Sequence, residues 1–185
     1  MSNGVVSDVA YDPTARRVHW CNAILTAVTI LSAWGISGAP RYSGPRESLL
    51  TLHGSLGVVV LVLMLFWLGW RLKHPPPPLR PVLTAIEALI ARATQLALQV
   101  LFVLMPLTGY ASLAAAGRHV SFFGLVAIPP VVPESGLLSQ TAMALHLTGE
   151  FLIYGLLAAH IAAALMHGFI RRDGILERML PRRSP

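Results

Sequence analysis

Four of the seven histidines stand in apolar segments, where an imidazole side chain is unusual. His146 and His160 lie fourteen residues apart in one apolar segment, and His19 and His53 stand near the starts of two others. Imidazole is costly inside a membrane, and such residues usually have a function. They can bridge helices by hydrogen bonds, relay protons or ligate a metal. The segments that carry them decide between these chemistries.

The composition is that of a membrane protein. Of 185 residues, 55% are hydrophobic and only 12% are charged. A soluble domain carries about twice that share of charge. Four apolar runs each reach the ~20 residues needed to cross hydrocarbon, which predicts an all-α integral membrane four-helix bundle. The runs are 18–36, 49–72, 83–116 and 139–169.

Two features qualify these spans. Pro106 lies inside the third span and predicts a kink near its end. Residues 117–138 are too polar and proline-rich to cross, and Phe122 and Phe123 predict a segment that lies at the membrane interface.

The basic residues predict the orientation. The N-terminus, the second loop and the C-terminal tail carry eleven of the fourteen Lys and Arg residues, whereas the other side carries Arg41, Arg46 and Arg118. Cytoplasmic loops are enriched in Lys and Arg, so both termini are expected in the cytoplasm. The expected organisation is a cytoplasmic N-terminal segment 1–17, a transmembrane domain 18–170 and a basic cytoplasmic tail 171–185. The net charge of +6 then reflects topology and anionic lipid, not nucleic acid.

This topology sorts the histidines by depth. The fourth span enters from outside, so His146 lies in its outer half and His160 lies ~21 Å deeper at 1.5 Å per residue. Two heptads drift by only ~40°, so both residues point to the bundle interior. His53 is expected near the outer face and His19 near the cytoplasmic face. Two layers result: His53 with His146 outside, and His19 with His160 inside.

Haem iron suits these layers better than the alternatives. A lone intramembrane histidine bridges helices as readily as it binds metal. Two histidine pairs at matching depths, however, rarely arise by chance. A proton relay usually recruits acids, and Glu150 is the only acid well inside a span apart from Glu87 near the mouth of the third. Zinc typically takes four protein ligands. Haem needs only two axial imidazoles, and since the chain has one cysteine and no CxxCH motif, the haem would be held non-covalently.

Small residues accompany the histidines. They leave room for a flat macrocycle, but they equally allow close helix packing, which is common in membranes. They are Gly54, Gly57, Gly149, Gly155, Ala158, Ala159, Ala162, Ala163 and Ala164.

The chain resembles the bacterial cytochrome b561 family over nearly its whole length. The resemblance implies a four-helix protein of the bacterial inner membrane with two haem b groups. It also implies axial ligands at His19, His53, His146 and His160, paired as the depth argument pairs them. The matching pieces are RVHW at 17–20, LHGSLG at 52–57, MPLTG at 105–109, AHIAAALMH at 159–167 and RDGILERMLP at 172–181.

The sequence departs from the family near the start of the third span. The family often has histidine there, whereas this chain reads Arg92-Ala93-Thr94-Gln95. A quinone or propionate contact on that side is therefore put in question. His167 and Arg17 remain candidates for propionate or quinone contacts, with a solvated interfacial histidine as the alternative for His167. Cys21 is expected to be a buried neutral thiol.

Three functions stay open. The first is di-haem electron transfer linked to membrane quinone, with superoxide oxidised outside and ubiquinone reduced, as the resemblance implies. The second is a membrane cytochrome subunit that takes electrons from a partner dehydrogenase. The third is a transporter with buried histidines and no haem.

Overall fold

Four long helices make up most of the fold. The computed structural model describes residues 10–77 and 83–180, so the predicted basic residues Arg80, Arg182 and Arg183 lie outside it. Each helix is long and apolar enough to cross a membrane, as predicted, although the boundaries differ by a few residues. The helices are α1 (Pro13–Gly38), α2 (Gly44–Lys73), α3 (Ala85–Ala115) and α4 (Gly136–Leu165), and a π-helical segment, Met166–Arg171, continues α4.

Side-chain caps fix where the helices begin. Asp12, Ser43, Thr84 and Ser135 each accept a hydrogen bond from a backbone N–H of the first turn, which satisfies a donor that the helix leaves free. Partial burial raises the pKa of the Asp12 carboxyl, but hydrogen bonds from the Ala15 N–H and the Trp70 indole outweigh it, and the net pKa is lowered. The Trp70 bond ties the start of α1 to the end of α2.

The helices pack in chain order. α1 packs on α2, α2 on α3 and α3 on α4, while within the described residues no Cα of α4 comes within 8 Å of α1 or α2. The end that holds the first residues of α1 and the last of α4 is called the terminal end, and the opposite one the hairpin end. α4 therefore faces α1 and α2 across a gap inside the bundle.

The surface of the bundle is apolar. Large side chains such as Ile24 and Phe151 are 64% and 73% exposed. Contiguous exposed apolar surface of this kind suits lipid rather than water. The buried cluster of Ala15, Met64 and Trp67 lies near the terminal end and joins α1 to α2.

The segment between α3 and α4 contains a β-hairpin that the sequence interpretation missed. β1 (Val120–Phe122) pairs antiparallel with β2 (Val126–Ile128). Phe123 and Gly124 turn the chain with positive φ angles of 50° and 75°. The buried Ser55 hydroxyl accepts a hydrogen bond from the Phe123 N–H at 2.7 Å, which holds the hairpin against α2.

Candidate functional site

The four predicted histidines meet in two pairs. The rings of His53 and His146 lie 6.1 Å apart between centroids, and those of His19 and His160 lie 6.3 Å apart. The first pair joins α2 to α4 and the second joins α1 to α4, so each pair spans the gap inside the bundle. The structure brings together the same partners that the depth argument paired.

The spacing within each pair leaves room for one metal atom. An imidazole nitrogen lies about 2 Å from a first-row metal, and that nitrogen is about 1 Å from its ring centre. Two rings on opposite sides of one metal therefore have centroids about 6 Å apart. Among the described residues no group of three or more His, Cys, Asp or Glu could hold a metal ion. The pairs thus suit a metal that arrives with its other donors, as haem iron does.

Hydrogen bonds fix the tautomer of the hairpin-end pair. Nδ1 of His146 is 2.9 Å from the Met105 carbonyl oxygen, and Nδ1 of His53 is 3.1 Å from the Thr29 carbonyl oxygen. A carbonyl can only accept, so each Nδ1 carries its hydrogen and donates it. Nε2 is then unprotonated and free to ligate. A partner of this kind also orients a metal-bound imidazole and increases its basicity.

The terminal-end pair is held differently. Across residues 10–77 and 83–180, the rings of His19 and His160 make no hydrogen bond. Farther along α1 from His19, the side-chain oxygens of Asn22 and Thr26 are buried and have no hydrogen-bond partner among the described residues. Buried polar atoms are almost always paired. Orphaned ones in the bundle interior fit a group that the chain alone does not supply.

A cavity of about 360 Å³ surrounds the hairpin-end pair. All four helices line it, and Val120 of the hairpin contributes to the wall. Gly54 and Gly57 line this cavity. This is the position they need if they make room for a macrocycle. The other two noted glycines are not: Gly149 packs against Met105 of α3, and Gly155 has open space beside it.

Gly109 is a glycine whose role the sequence did not reveal. A Cβ at this position would lie 3.0 Å from Cε1 of His146. The His146 ring therefore lies directly against the α3 backbone, in the turn that follows Pro106.

His167 is buried and paired. Its Nδ1 lies 2.5 Å from Oδ2 of Asp173, and the two side chains are 11% and 9% exposed. The alternative of a solvated histidine is therefore wrong, because the chain after the π-helical segment folds back and places Asp173 against the ring. No described residue is bonded to the exposed side chain of Arg17, so the structure does not bring Arg17 and His167 together.

The expectation for Cys21 is wrong. The thiol is exposed, because two residues after His19 a helix has turned by about 200° and points away from the bundle interior. His74 and His119 are exposed, as expected for histidines at span ends.

Arg46 and Glu150, which the sequence interpretation named but did not assign to the site, both line the cavity. Arg46 donates to the carbonyls of Ile36 and Ala39 at the hairpin end. Glu150 accepts from the Tyr154 hydroxyl. Glu150 and Tyr154 are four residues apart on α4, a spacing that predicts contact between their side chains. The position of Arg46 depends instead on how α2 packs against α1.

Comparison with known proteins decides the family. A family profile described as prokaryotic cytochrome b561 matches residues 10–182. This chain belongs to the prokaryotic cytochrome b561 family. Membership implies binding of b-type haem in a multi-pass membrane protein, and the two histidine pairs fit that group by spacing and by donor chemistry.

Relatives of this cytochrome b561 chain match along nearly their full lengths. Cytochrome b561 homolog 1 of Escherichia coli is 32% identical over 178 residues, covering 94% of this chain and 98% of the relative. Cytochrome b561 homolog 2 of the same organism is 30% identical over 175 residues, covering 94% and 93%. A probable superoxide oxidase, CybB, of Yersinia pestis is 29% identical over 166 residues, covering 90% and 93%.

Proposed function

We propose that this cytochrome b561 protein binds two haem b groups and transfers electrons between the two faces of the bacterial inner membrane. His53 and His146 hold one haem, and His19 and His160 hold the other. The observation that carries the proposal is the presence of two matched histidine pairs at two levels of one helix, α4. When bound, haem supplies a reversible one-electron change.

The chain's own residues set what the haems can do. Each histidine pair would supply two imidazoles to the haem it holds, and such ligation would favour electron transfer over oxygen chemistry. The carbonyls of Met105 and Thr29 hold the hairpin-end imidazoles by their Nδ1–H groups, so the ligands need little reorganisation when the charge of the site changes.

The proposed reaction oxidises superoxide at the hairpin end and reduces ubiquinone. Two superoxide anions, one quinone and two protons give two molecules of oxygen and one quinol. The kinship with a probable superoxide oxidase supports this choice. Arg46 supports it electrostatically, because a cation in the cavity wall attracts a small anion. The hairpin end then faces the periplasm and the terminal end the cytoplasm, as the Lys and Arg distribution favours.

His167 is the proposed quinone or propionate contact of the terminal end. Asp173 accepts from its Nδ1, which leaves Nε2 as an acceptor for a hydroxyl or as a site for a proton. Arg17 is a weaker candidate, because it is exposed on α1. A charge-assisted bond to a propionate would be its contribution.

A superoxide pulse tests the function. Purified oxidised protein should contain two haems per chain, and a pulse should reduce haem faster than superoxide disproportionates. With ubiquinone present, quinol should accumulate at half the amount of superoxide consumed. Haem that stays oxidised after the pulse would remove superoxide as the donor and favour the alternative of a cytochrome subunit fed by a partner dehydrogenase. A colourless protein would contradict haem binding altogether.

A further inference from the structure

A carboxylate lies inside the bundle beside the hairpin-end pair. Glu150 is half-buried one helical turn after His146, and it lines the same cavity as His53 and His146. It makes no hydrogen bond to either imidazole. Ionisable residues at this depth of a membrane are costly and usually functional.

A directed chain of hydrogen bonds ends on Glu150. The Trp34 indole N–H donates to the Tyr154 oxygen at 2.9 Å, and the Tyr154 O–H donates to Oε1 of Glu150. The indole nitrogen donates to the Tyr154 oxygen, and the Tyr154 hydroxyl uses its own proton to donate to the carboxyl group. Oε1 is therefore the acceptor at the end of this chain of hydrogen bonds.

The carboxyl group also has a free position for a proton. In the described part of the chain, Oε2 of Glu150 makes no hydrogen bond or ion pair. The titratable or charged side chains in the cavity wall are Arg46 and His53 from α2, Tyr110 from α3, and His146 and Tyr154 from α4, while α1 supplies none. Arg46 is engaged with the carbonyls of Ile36 and Ala39, so no ion pair fixes the charge of Glu150.

We propose that Glu150 is a redox-linked proton site. When one electron arrives between His53 and His146, the site gains one negative charge, and the Glu150 carboxylate binds one proton from the aqueous phase at the hairpin end. When the electron leaves, the proton is released. The electron comes from superoxide in the proposed reaction, or from dithionite in a titration. This inference rests on the proposed function, because it requires a haem at the hairpin-end pair.

The physical reason is the cost of charge in a low-dielectric interior. An added negative charge close to an ionised carboxylate disfavours that carboxylate and favours its neutral form. Proton uptake then cancels the added charge. The reduction equilibrium must consequently depend on pH, becoming up to tenfold less favourable for each unit of increase. A tenfold change corresponds to about 59 mV for a one-electron couple.

Redox titration of the purified holoprotein between pH 6 and 8 tests this. Haem content of His53→Ala first establishes that the hairpin-end pair holds one haem and identifies its absorption. In the wild-type protein the potential of that haem should fall by up to about 59 mV per pH unit, and Glu150→Gln should abolish the dependence. The potential of the other haem should have the same pH dependence in the wild-type protein and in Glu150→Gln. Glu47→Gln is the matched control, because Glu47 pairs with Arg118 and lies outside the cavity.

Infrared difference spectra between the reduced and oxidised protein give a second readout. Reduction should produce the carbonyl absorption of a protonated carboxylic acid, and Glu150→Gln should remove it. If Glu150→Gln folds poorly, Tyr154→Phe serves as a second variant. It keeps the carboxylate, so the pH dependence of the potential and the carbonyl absorption should both survive in it.

Each other outcome overturns the inference. A hairpin-end haem whose potential is independent of pH means that Glu150 keeps one protonation state. A dependence that persists in Glu150→Gln means that another group binds the proton. Unchanged haem content in His53→Ala is a different result, because it contradicts the proposed haem site itself.

Discussion

At the scale of residues, the hairpin-end site depends on contacts that hold an imidazole in place. His146 is fixed on one side by the Met105 carbonyl, and the Gly109 backbone lies against its ring. Both contacts belong to the turn of α3 around Pro106. Without a proline amide hydrogen, the carbonyl four residues earlier loses its helical donor, so this stretch of α3 is locally less regular in its bonding than the rest.

Gly109→Ala should weaken haem binding at the hairpin end. The new methyl would approach Cε1 of His146 to 3.0 Å, so the ring must move by a few tenths of an ångström, and we expect this to weaken the Met105 hydrogen bond. Loss of such an orienting bond typically lowers metal affinity about 10- to 100-fold. Haem per chain after purification measures the effect, and His53→Ala shows which absorption is lost. Gly155→Ala is the control, because among the described residues no atom of another helix lies within 4 Å of that Cβ. Equal haem in both variants would contradict the prediction.

At the scale of elements, hydropathy and length predict the helices well and the connections poorly. Each helix is set by a run of apolar residues and a cap, which are local signals. The hairpin is too short for such a signal, although Val120 and Phe122 alternate with polar neighbours and Gly124 follows. It forms because Ser55 of α2 binds it, a contact between residues 68 positions apart in the chain. The π-helical segment differs, because its buried His167 is bonded to Asp173 only six residues later in the chain.

Asp173→Ala should destabilise the end of α4. It leaves the buried His167 ring without its partner, which costs about 1–3 kcal/mol for an unsatisfied buried group. Glu47→Ala removes an ion pair whose side chains are 52% and 57% exposed, and such pairs contribute less than about 1 kcal/mol. Thermal unfolding in detergent, monitored through the release of haem, should therefore show a larger loss of stability for Asp173→Ala than for Glu47→Ala. The prediction fails if the two variants unfold alike.

At the scale of the whole molecule, the histidine pairing could be predicted but its surroundings could not. Two histidines fourteen residues apart on one helix must differ in depth, and a four-span topology assigns each a partner. That argument needs only helix rise and chain direction. The positions of Arg46 and Glu150 in the cavity wall depend on helix rotation and on the α1–α2 packing, which a single sequence does not specify.

Orientation of the bundle in the membrane is the property on which the direction of the proposed reaction depends. Eight of the eleven Lys and Arg residues in the described part of the chain belong to the terminal end, so that end should stay in the cytoplasm. Cys21 is the single cysteine, and Cys21→Ser therefore gives a background without thiols. In that background, Val131→Cys puts one thiol at the hairpin end and His74→Cys puts one at the terminal end, both at exposed positions.

A membrane-impermeant maleimide should label Val131→Cys in intact spheroplasts and His74→Cys only after lysis. The reason is that lipid excludes the charged reagent, so only the periplasmic face is open to it before lysis. The Cys21→Ser protein without an added cysteine measures unspecific labelling. Labelling of the two cysteine variants after denaturation shows that both thiols can react. The reverse pattern would place the hairpin end in the cytoplasm. Superoxide produced outside the cell would then meet the His19–His160 end first, and the cavity with Arg46 and Glu150 would face the wrong compartment for the proposed reaction.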